Sequence, residues 1–231
     1  MTGAHPRLAI VTGAGRGIGR AHALELARHG AKVLVNDYGV SLAGEDAGET
    51  PAHEVVAEIE AMGGAAVVNG ADVADFAAAE AMVRQAIDTF GGLDILVNNA
   101  GFVRDRMLVN TSEEEWDSVV RVHLKGHFAP LRHAGAYWRA ESKEGRPRAA
   151  RVINTSSGAG LQGSLGQTTY SAAKAGIAGM TLVAAAERPV PLGRAVRMLF
   201  AVKTLRRQYI AWLFLGADPY TRGALDAWRE S

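Results

Sequence analysis

The sequence contains no cysteine. This absence excludes a disulfide framework, a thiol nucleophile and a zinc site with cysteine ligands. An excess of charge of either sign is also missing, because 25 Lys and Arg stand against 24 Asp and Glu and give a net charge of +1. A nearly neutral chain has no basic excess of the kind that indicates nucleic-acid binding.

Long hydrophobic runs are missing as well. The longest apolar stretch near the C-terminus, 209–217, is far shorter than the ~20 residues that a membrane helix needs. The first seven residues lack the apolar core of a secretory signal. We therefore expect a cytoplasmic protein that does not enter a membrane. A length of 231 residues with 48% hydrophobic residues suits a single globular domain.

Short apolar runs alternate with segments of helical character along most of the chain. Strands are predicted at 8–11, 31–36, 65–69, 93–97 and 151–154. Helices are predicted at 17–29, 51–63, 75–90, 112–139 and 168–186, and a polar surface loop at 141–148. Apolar strands that alternate with helices predict an α/β fold of the Rossmann type, with a doubly wound parallel sheet. Ligands of such sheets bind at the carboxyl ends of the strands.

A glycine-rich turn, TGAGRGIG at 12–19, follows the first predicted strand. Glycines at these positions allow a tight turn and let the backbone approach a pyrophosphate at the N-terminus of the next helix. A turn of this kind can also be only a turn, but its position between a strand and a helix favours dinucleotide binding. The predicted contacts are Gly13, Arg16, Gly17, Ile18 and Gly19.

The second predicted strand is followed by Asp37. A carboxylate at this position can accept hydrogen bonds from the hydroxyls of the adenosine ribose. It would repel a 2′-phosphate by ~4 kcal/mol at ~4 Å, although Arg16 could offset part of this repulsion. We therefore expect NAD, with NADP as the less favoured cofactor. The alternative is that Asp37 is a solvated loop acid.

The residues after the third and fourth strands are further candidates for cofactor contacts. They are Asp72 and Val73, then Asn99, Ala100 and Gly101. An aspartate after a strand is often only a helix cap, and the neighbouring Asn98 suits a structural tie between strands as well as it suits a cofactor contact.

The fifth strand leads to Ser157, and Tyr170 and Lys174 follow with a spacing of four. Residues at i and i+4 share one face of a helix. A phenol has an ordinary pKa of ~10, and a nearby ammonium would lower this pKa toward neutrality. We therefore expect Tyr170 to act as general acid/base, Lys174 to activate it and Ser157 to bind the substrate oxygen. A Tyr and Lys at this spacing, taken alone, are commonly a surface pair.

Four features occur in this order along the chain: TGAGRGIG at 12–19, NNAG at 98–101, Ser157 and YSAAK at 170–174. Together they resemble the short-chain dehydrogenase/reductase family. The resemblance covers about residues 7 to 186. It implies that Tyr170 donates and accepts the proton and that Ser157 holds the substrate oxygen. It also implies that Tyr170 and Lys174 contact the cofactor, Lys174 through the nicotinamide ribose. A homodimer formed through the helices at 112–139 and 168–186 is the assembly that the resemblance implies.

A narrower resemblance concerns the (3R)-hydroxyacyl-CoA dehydrogenase branch of that family. It rests on VNDYG at 35–39, NNAGFVRDRM at 98–107, RVHLKGHF at 121–128 and GQTTYSAAKAGIAG at 166–179. Most of the family has Asn where this chain has His123, which implies a proton relay behind the lysine, and a packed helix histidine is the alternative. His123 and His127 have no third ligand in view, so we expect no metal site.

The segment 188–231 differs from residues 1–187, which we predict to form the catalytic domain. It holds eight Lys or Arg and three Asp or Glu. A sixth strand is predicted at 195–202 and helix after it, without the Pro-Gly that the family resemblance leads us to expect, and no seventh strand is evident. A reading-frame shift or truncation near Glu187 would explain this, and a divergent tail is the alternative.

The sequence thus predicts an NAD(H)-dependent oxidoreductase that interconverts a secondary alcohol and a ketone, with a 3-hydroxyacyl thioester as the leading substrate class. A steroid or a sugar-derived ketone is the first alternative. A catalytically impaired or non-enzymatic NAD-binding protein is the second, because the C-terminal strands are expected to be incomplete.

Overall fold

The computed structural model describes residues 6–39, 50–187, 196–204 and 207–214. Seven strands form one sheet in the order β3-β2-β1-β4-β5-β6-β7. All neighbours are parallel except β6 and β7. The strands are β1 Leu8–Thr12, β2 Lys32–Asn36, β3 Ala66–Asn69, β4 Ile95–Asn98, β5 Arg151–Ser157, β6 Val196–Thr204 and β7 Arg207–Phe214. Strand order reverses between β1 and β4, as in the doubly wound Rossmann fold that the sequence predicted.

The helices connect successive strands. They are α1 Gly17–Arg28, α2 Thr50–Ala61, α3 Phe76–Phe90, α4 Glu113–Val120, α5 Gly126–Lys143, α6 Ala159–Gln162 and α7 Thr168–Glu187. A π-helical segment, Arg121–Lys125, joins α4 to α5. No helix of the described residues is long and apolar enough to span a bilayer.

Both faces of the sheet are covered by helices, because alternate residues of each strand point to opposite sides. On one face Ile10, Leu34 and Leu96 pack with residues of α3 and α5, including the fully buried Trp138. On the other face residues of the same strands pack with α1 and α2. The core therefore has two layers, and the carboxyl edge of the sheet is left open between them.

The polar segment 141–148, predicted as a surface loop, is partly helical. Helix α5 continues to Lys143, and Glu141 is buried. Arg146 and Arg148 form ion pairs with Glu141, at 2.6 and 3.4 Å. The prediction was wrong at 141–143, which belong to α5, because the Glu141 side chain is buried against arginines, whereas 144–148 is non-helical and 143–147 is exposed.

The C-terminal part of the chain extends the sheet. Strand β6 pairs in parallel with β5, and β7 turns back and pairs with β6 in antiparallel fashion. The prediction of helix after the sixth strand was wrong for 207–214. That segment contains three aromatic residues and Ile210, residue types that favour strands, and its pairing covers the edge that β6 would otherwise expose. The rest of the predicted tail, 188–195, 205–206 and 215–231, lies outside the described residues.

Candidate active site

The glycine-rich turn lies at the carboxyl end of β1 and leaves no room for a side chain at Gly13 or Gly19. Gly13 and Gly17 have positive φ angles of 60° and 55°. A Cβ on Gly19 would lie 2.1 Å from the carbonyl oxygen of Gly13, and a Cβ on Gly13 would lie 2.7 Å from Cα of Ala100. Glycine is therefore required at both ends of the turn.

Two polar side chains tie this turn to the end of β4. The hydroxyl of Thr12 accepts hydrogen bonds from the backbone N–H groups of Asn99 and Ala100, at 2.9 and 3.1 Å. The side-chain amide of Asn99 donates to the carbonyl oxygens of Thr12 and Gly13, both at 3.1 Å. The predicted cofactor residues of the first and fourth strand ends are thus brought together.

Asp37 closes the other side of the turn. Its carboxylate accepts hydrogen bonds from the backbone N–H of Gly15 at 2.8 Å and of Gly39 at 2.9 Å. A carboxylate has about four acceptor sites, so it can accept further hydrogen bonds beside these two. The side chain is half-buried and lies where a ribose would follow the phosphate turn.

These features fit a dinucleotide. Helix α1 begins at Gly17, and no side chain caps its N-terminus among the described residues. Its first N–H groups and its dipole therefore favour an anion such as a pyrophosphate. Arg16 and Ile18 flank this N-terminus.

The side chain of Asp72, after the end of β3, is bonded within the protein. Asp72 caps a local turn through Ala74, at 2.8 Å, and pairs with Arg121 at 2.5 Å. Val73 is buried and lies against Gly126. The helix-cap alternative for Asp72 is wrong, because the N-cap of α3 is Asp75, although both Asp72 oxygens have partners within the protein.

Asn98 has a structural role in the sheet. It is fully buried, and its side-chain amide donates to Asn154 on β5 at 2.9 Å and to the carbonyl of His127 at 3.2 Å. The side chain therefore links β4, β5 and α5 beneath the candidate site.

Tyr170, Lys174 and Ser157 come together at the end of β5. The Ser157 hydroxyl is near enough to the Tyr170 phenol that their interaction lowers the pKa of Tyr170. The Lys174 ammonium lies 5.5 Å from the centre of the Tyr170 ring and donates to the carbonyl oxygen of Thr155 at 2.7 Å. The first turns of α7 thus place a phenol and a buried amine on one face, as the spacing predicts.

The expected lowering of the Tyr170 pKa is not what the structure gives. Burial raises the pKa of Tyr170, and the charge of Asp105 raises it further, against the lowering effect of Ser157. Burial also lowers the pKa of Lys174 to about 7. The expectation assumed a full positive charge on Lys174, but burial disfavours that charge as it disfavours the phenolate.

His123 lies in the π-helical segment and packs against Tyr170. A π-helical turn of this kind often marks a functional site. The His123 ring is edge-on to the Tyr170 ring, with centroids 5.2 Å apart and an interplanar angle of 90°. Its Nε2 bonds the carbonyl oxygen of Phe102 at 2.6 Å, and a Cβ on Gly101 would lie 2.2 Å from its ring. Gly101 is therefore needed to admit the imidazole.

Burial, together with the charge of Lys174, lowers the pKa of His123 to about 3. His127, on the next turn, is completely buried, and its pKa is lowered for the same reasons. Both imidazoles are therefore neutral at physiological pH. No three His, Asp or Glu side chains converge as metal ligands within the described part of the chain.

The family model described as short chain dehydrogenase matches residues 7–190. The chain belongs to the short-chain dehydrogenase family.

Relatives of this short-chain dehydrogenase include proteins named for hydroxyacyl substrates. Hydroxyacyl-CoA dehydrogenase ChsB1 of Mycobacterium tuberculosis is 50% identical over 181 residues, which are 78% of this chain and 56% of the relative. Peroxisomal multifunctional enzyme type 2 of Mus musculus is 46% identical over 174 residues, 75% of this chain and 22% of that protein. The chain thus spans little more than half the length of the first and less than a quarter of the second.

A solved structure supports the fold. A short chain dehydrogenase from Mycobacterium avium is 44% identical, with a TM-score of 0.78, and the similarity covers 96% of this chain and 93% of that one.

Sequence reasoning missed several contributors to the site of this short-chain dehydrogenase. The carbonyl oxygens of Thr155 and Phe102, which hold Lys174 and His123, cannot be read from residue types. Thr12 opens the glycine-rich motif, but its residue type alone indicates no role there. Asp105 and Gln167 also lie within the motifs that carry the family resemblance, and the position of Gln167 one turn before Tyr170 could have singled it out.

Proposed function

We propose that this protein is an NAD(H)-dependent oxidoreductase that interconverts a secondary alcohol and a ketone. The observation that carries the proposal is the half-buried phenol of Tyr170, which lies near the Ser157 hydroxyl and beside the buried Lys174. A phenol and a hydroxyl that converge on one point suit proton exchange with a substrate oxygen.

The turn at Gly13–Gly19 would hold the pyrophosphate, Asp37 the adenosine ribose, and the end of β4 the remainder of the cofactor. When bound, NAD supplies the acceptor or donor of a hydride. We favour NAD over NADP because the carboxylate of Asp37 repels a 2′-phosphate.

The residues of the chain itself would transfer the proton to and from the substrate oxygen. The Ser157 hydroxyl hydrogen-bonds the substrate oxygen and keeps it in reach of the phenol. Tyr170 then gives its proton to a ketone oxygen, or takes the proton of an alcohol in the reverse direction. Its raised pKa keeps the phenol protonated, which suits donation. Ser157 stabilises the phenolate that donation leaves, and Lys174, when protonated, adds a positive charge 5.5 Å from the ring.

A 3-hydroxyacyl thioester is the substrate class that we propose. Its support is the name of the Mycobacterium tuberculosis relative, a hydroxyacyl-CoA dehydrogenase, at 50% identity. A steroid or a sugar-derived ketone remains the alternative, since the residues around Tyr170 act on the alcohol oxygen that all three classes share.

We further propose a cytoplasmic homodimer formed through α4, α5 and α7. Its support is an exposed apolar face on these helices, with Trp116, Phe128, Leu182 and Val183 between 39% and 55% exposed. Apolar patches on a surface commonly mark interfaces. Val183→Asp should convert a dimer to a monomer in sedimentation, and a parent protein that sediments as a monomer would contradict the proposal.

The experiment has two parts. NADH and NADPH are titrated against the protein and followed by energy transfer from Trp to the dihydronicotinamide. NADH formation is then measured with NAD+ and a 3-hydroxyacyl-CoA, with a simple secondary alcohol as control. Saturable binding of NADH together with thioester-dependent turnover supports the proposal.

A second candidate is an NAD-binding protein without turnover. The observation that favours it is that the family match ends at residue 190, where the composition of the chain changes. Saturable NADH binding without turnover of any of the three substrate classes would favour this candidate over the first.

A further inference from the structure

The loop after β4 is fastened to the segment that precedes α7. The side-chain amide of Gln167 donates to both carboxylate oxygens of Asp105, at 3.1 and 3.2 Å. The backbone N–H of Arg106 donates to the carbonyl oxygen of Gly166 at 2.8 Å, so the two segments also pair through their backbones. The Gln167 side-chain bonds and the Arg106 backbone bond thus fix the two segments relative to each other.

This connection reaches Tyr170 through the first turn of α7. The N–H of Ser171 donates to the carbonyl of Gln167 at 2.8 Å, so the helical turn that contains Tyr170 begins at Gln167. Gln167 directly precedes Thr168, the first residue of α7, so a displacement of Gln167 would disturb the helical turn that carries the phenol.

The other end of the loop is anchored at α4. The Arg106 guanidinium pairs with Glu115 at 3.0 Å, and Glu115 forms the capping box of α4 with Ser112. Asp105 is thus held between two helices, and its position is set by both.

Few charged groups face Tyr170. His123 on the π-helical segment is neutral, and Lys174 on α7 is buried with a pKa of about 7. Asp105 is the acidic group whose charge reaches the phenol among the described residues, and it raises the pKa of Tyr170. The charges of Arg104 and Arg106 act on Glu115.

We propose that Asp105 and Gln167 are positioning residues for Tyr170, in which Gln167 fixes the first turn of α7 and Asp105, which accepts both hydrogen bonds of the Gln167 amide, supplies a negative charge that acts on the phenol. The inference rests on the proposed function, because it treats Tyr170 as the acid/base. The proposal predicts that the effect of the Asp105 charge and the effect of the hydrogen bonds from Gln167 to Asp105, here called the tether, can be separated by substitution.

Two variants make this separation. Asp105→Asn removes the charge but keeps an oxygen that can accept from Gln167, and Gln167→Ala removes the tether but keeps the charge. Asp88→Asn, on the exposed surface of α3, is the matched control. Ionisation of Tyr170 is followed by phenolate absorbance, as the difference between each protein and the same protein carrying Tyr170→Phe, and kcat and KM are measured across pH.

The phenol of Asp105→Asn should ionise at lower pH than that of the parent, and the Asp88→Asn control should match the parent. Gln167→Ala should lose about tenfold to 100-fold in kcat with a smaller change in KM, because misplacement of a reacting group lowers the rate. An unchanged phenol titration in Asp105→Asn would overturn the electrostatic part, and an unchanged kcat in Gln167→Ala would overturn the tether.

The phenol titration needs no turnover. A parent protein without activity would overturn the proposed function, whereas a shifted titration in the same preparation would still support the placement of Asp105. The two failures are therefore distinguishable.

Discussion

The imidazole of His123 stands edge-on to the phenol of Tyr170, at 5.2 Å between centroids. Its Nε2 bonds the carbonyl oxygen of Phe102, and its pKa is held at about 3. An imidazole that stays neutral across the physiological range does not take up a proton there. The geometry therefore favours the packed-histidine interpretation over a proton relay.

His123→Ala should lower kcat by about tenfold, because an edge-to-face ring contact contributes ~0.5–1.5 kcal/mol. The shape of the pH–rate profile between pH 5 and 8 should stay the same. His29→Ala, at the exposed end of α1, is the control for removal of an imidazole. Loss of a limb of the profile near pH 6.5 in His123→Ala would instead indicate a relay.

Asp37→Asn should weaken the preference for NADH over NADPH by at least about tenfold. The substitution removes the charge that repels a 2′-phosphate but keeps an oxygen for one of the two backbone N–H groups that Asp37 binds through separate oxygens. The dissociation constants of both cofactors measure the effect. A preference equal to that of the parent would mean that Asp37 does not face the ribose.

Gly19→Ala should lower NADH affinity at least about tenfold and destabilise the fold by about 1–3 kcal/mol, because its Cβ would meet the carbonyl of Gly13. Gly135→Ala is the matched control. Gly135 lies inside α5, and no heavy atom beyond its own helix turn lies within 4 Å of the place that a Cβ would take, so alanine should stabilise the helix by about 0.5–1 kcal/mol. Equal effects of the two substitutions on NADH binding would argue against the phosphate turn.

Lys174→Met should change the pH dependence of stability. Burial lowers the pKa of Lys174 from 10.5 to about 7, so between these values the unfolded chain binds more protons than the folded one. The free energy of unfolding of the parent therefore rises with pH across this window, by up to about 1.4 kcal/mol per pH unit.

The stability of Lys174→Met relative to the parent should be greatest at or below pH 7 and should fall as pH rises toward 10. Denaturant unfolding at several pH values measures it, and Lys143→Met, which removes an exposed lysine, is the control. A stability difference that is constant with pH would show that folding does not lower the pKa of Lys174.

The succession of the first five strands and their helices along the chain could be predicted from the sequence, because local residue patterns mark where each element begins and ends. Ser112 and Glu115 illustrate this, since the predicted capping box is present at the start of α4. The direction of the Tyr170 pKa could not be predicted, because it depends on burial and on Asp105, which is distant in the chain. Strand β7 was missed because its pairing with β6 is a tertiary contact.

We propose that Tyr170 exchanges the proton in an NAD-dependent reaction. Its most direct test is Tyr170→Phe, assayed with NAD+ and a 3-hydroxyacyl-CoA beside an NADH titration. We predict a loss of about 100-fold to 10,000-fold in kcat with unchanged NADH affinity, since the phenol is lost but the phosphate turn is not. Turnover by Tyr170→Phe at the parent's rate would contradict the account.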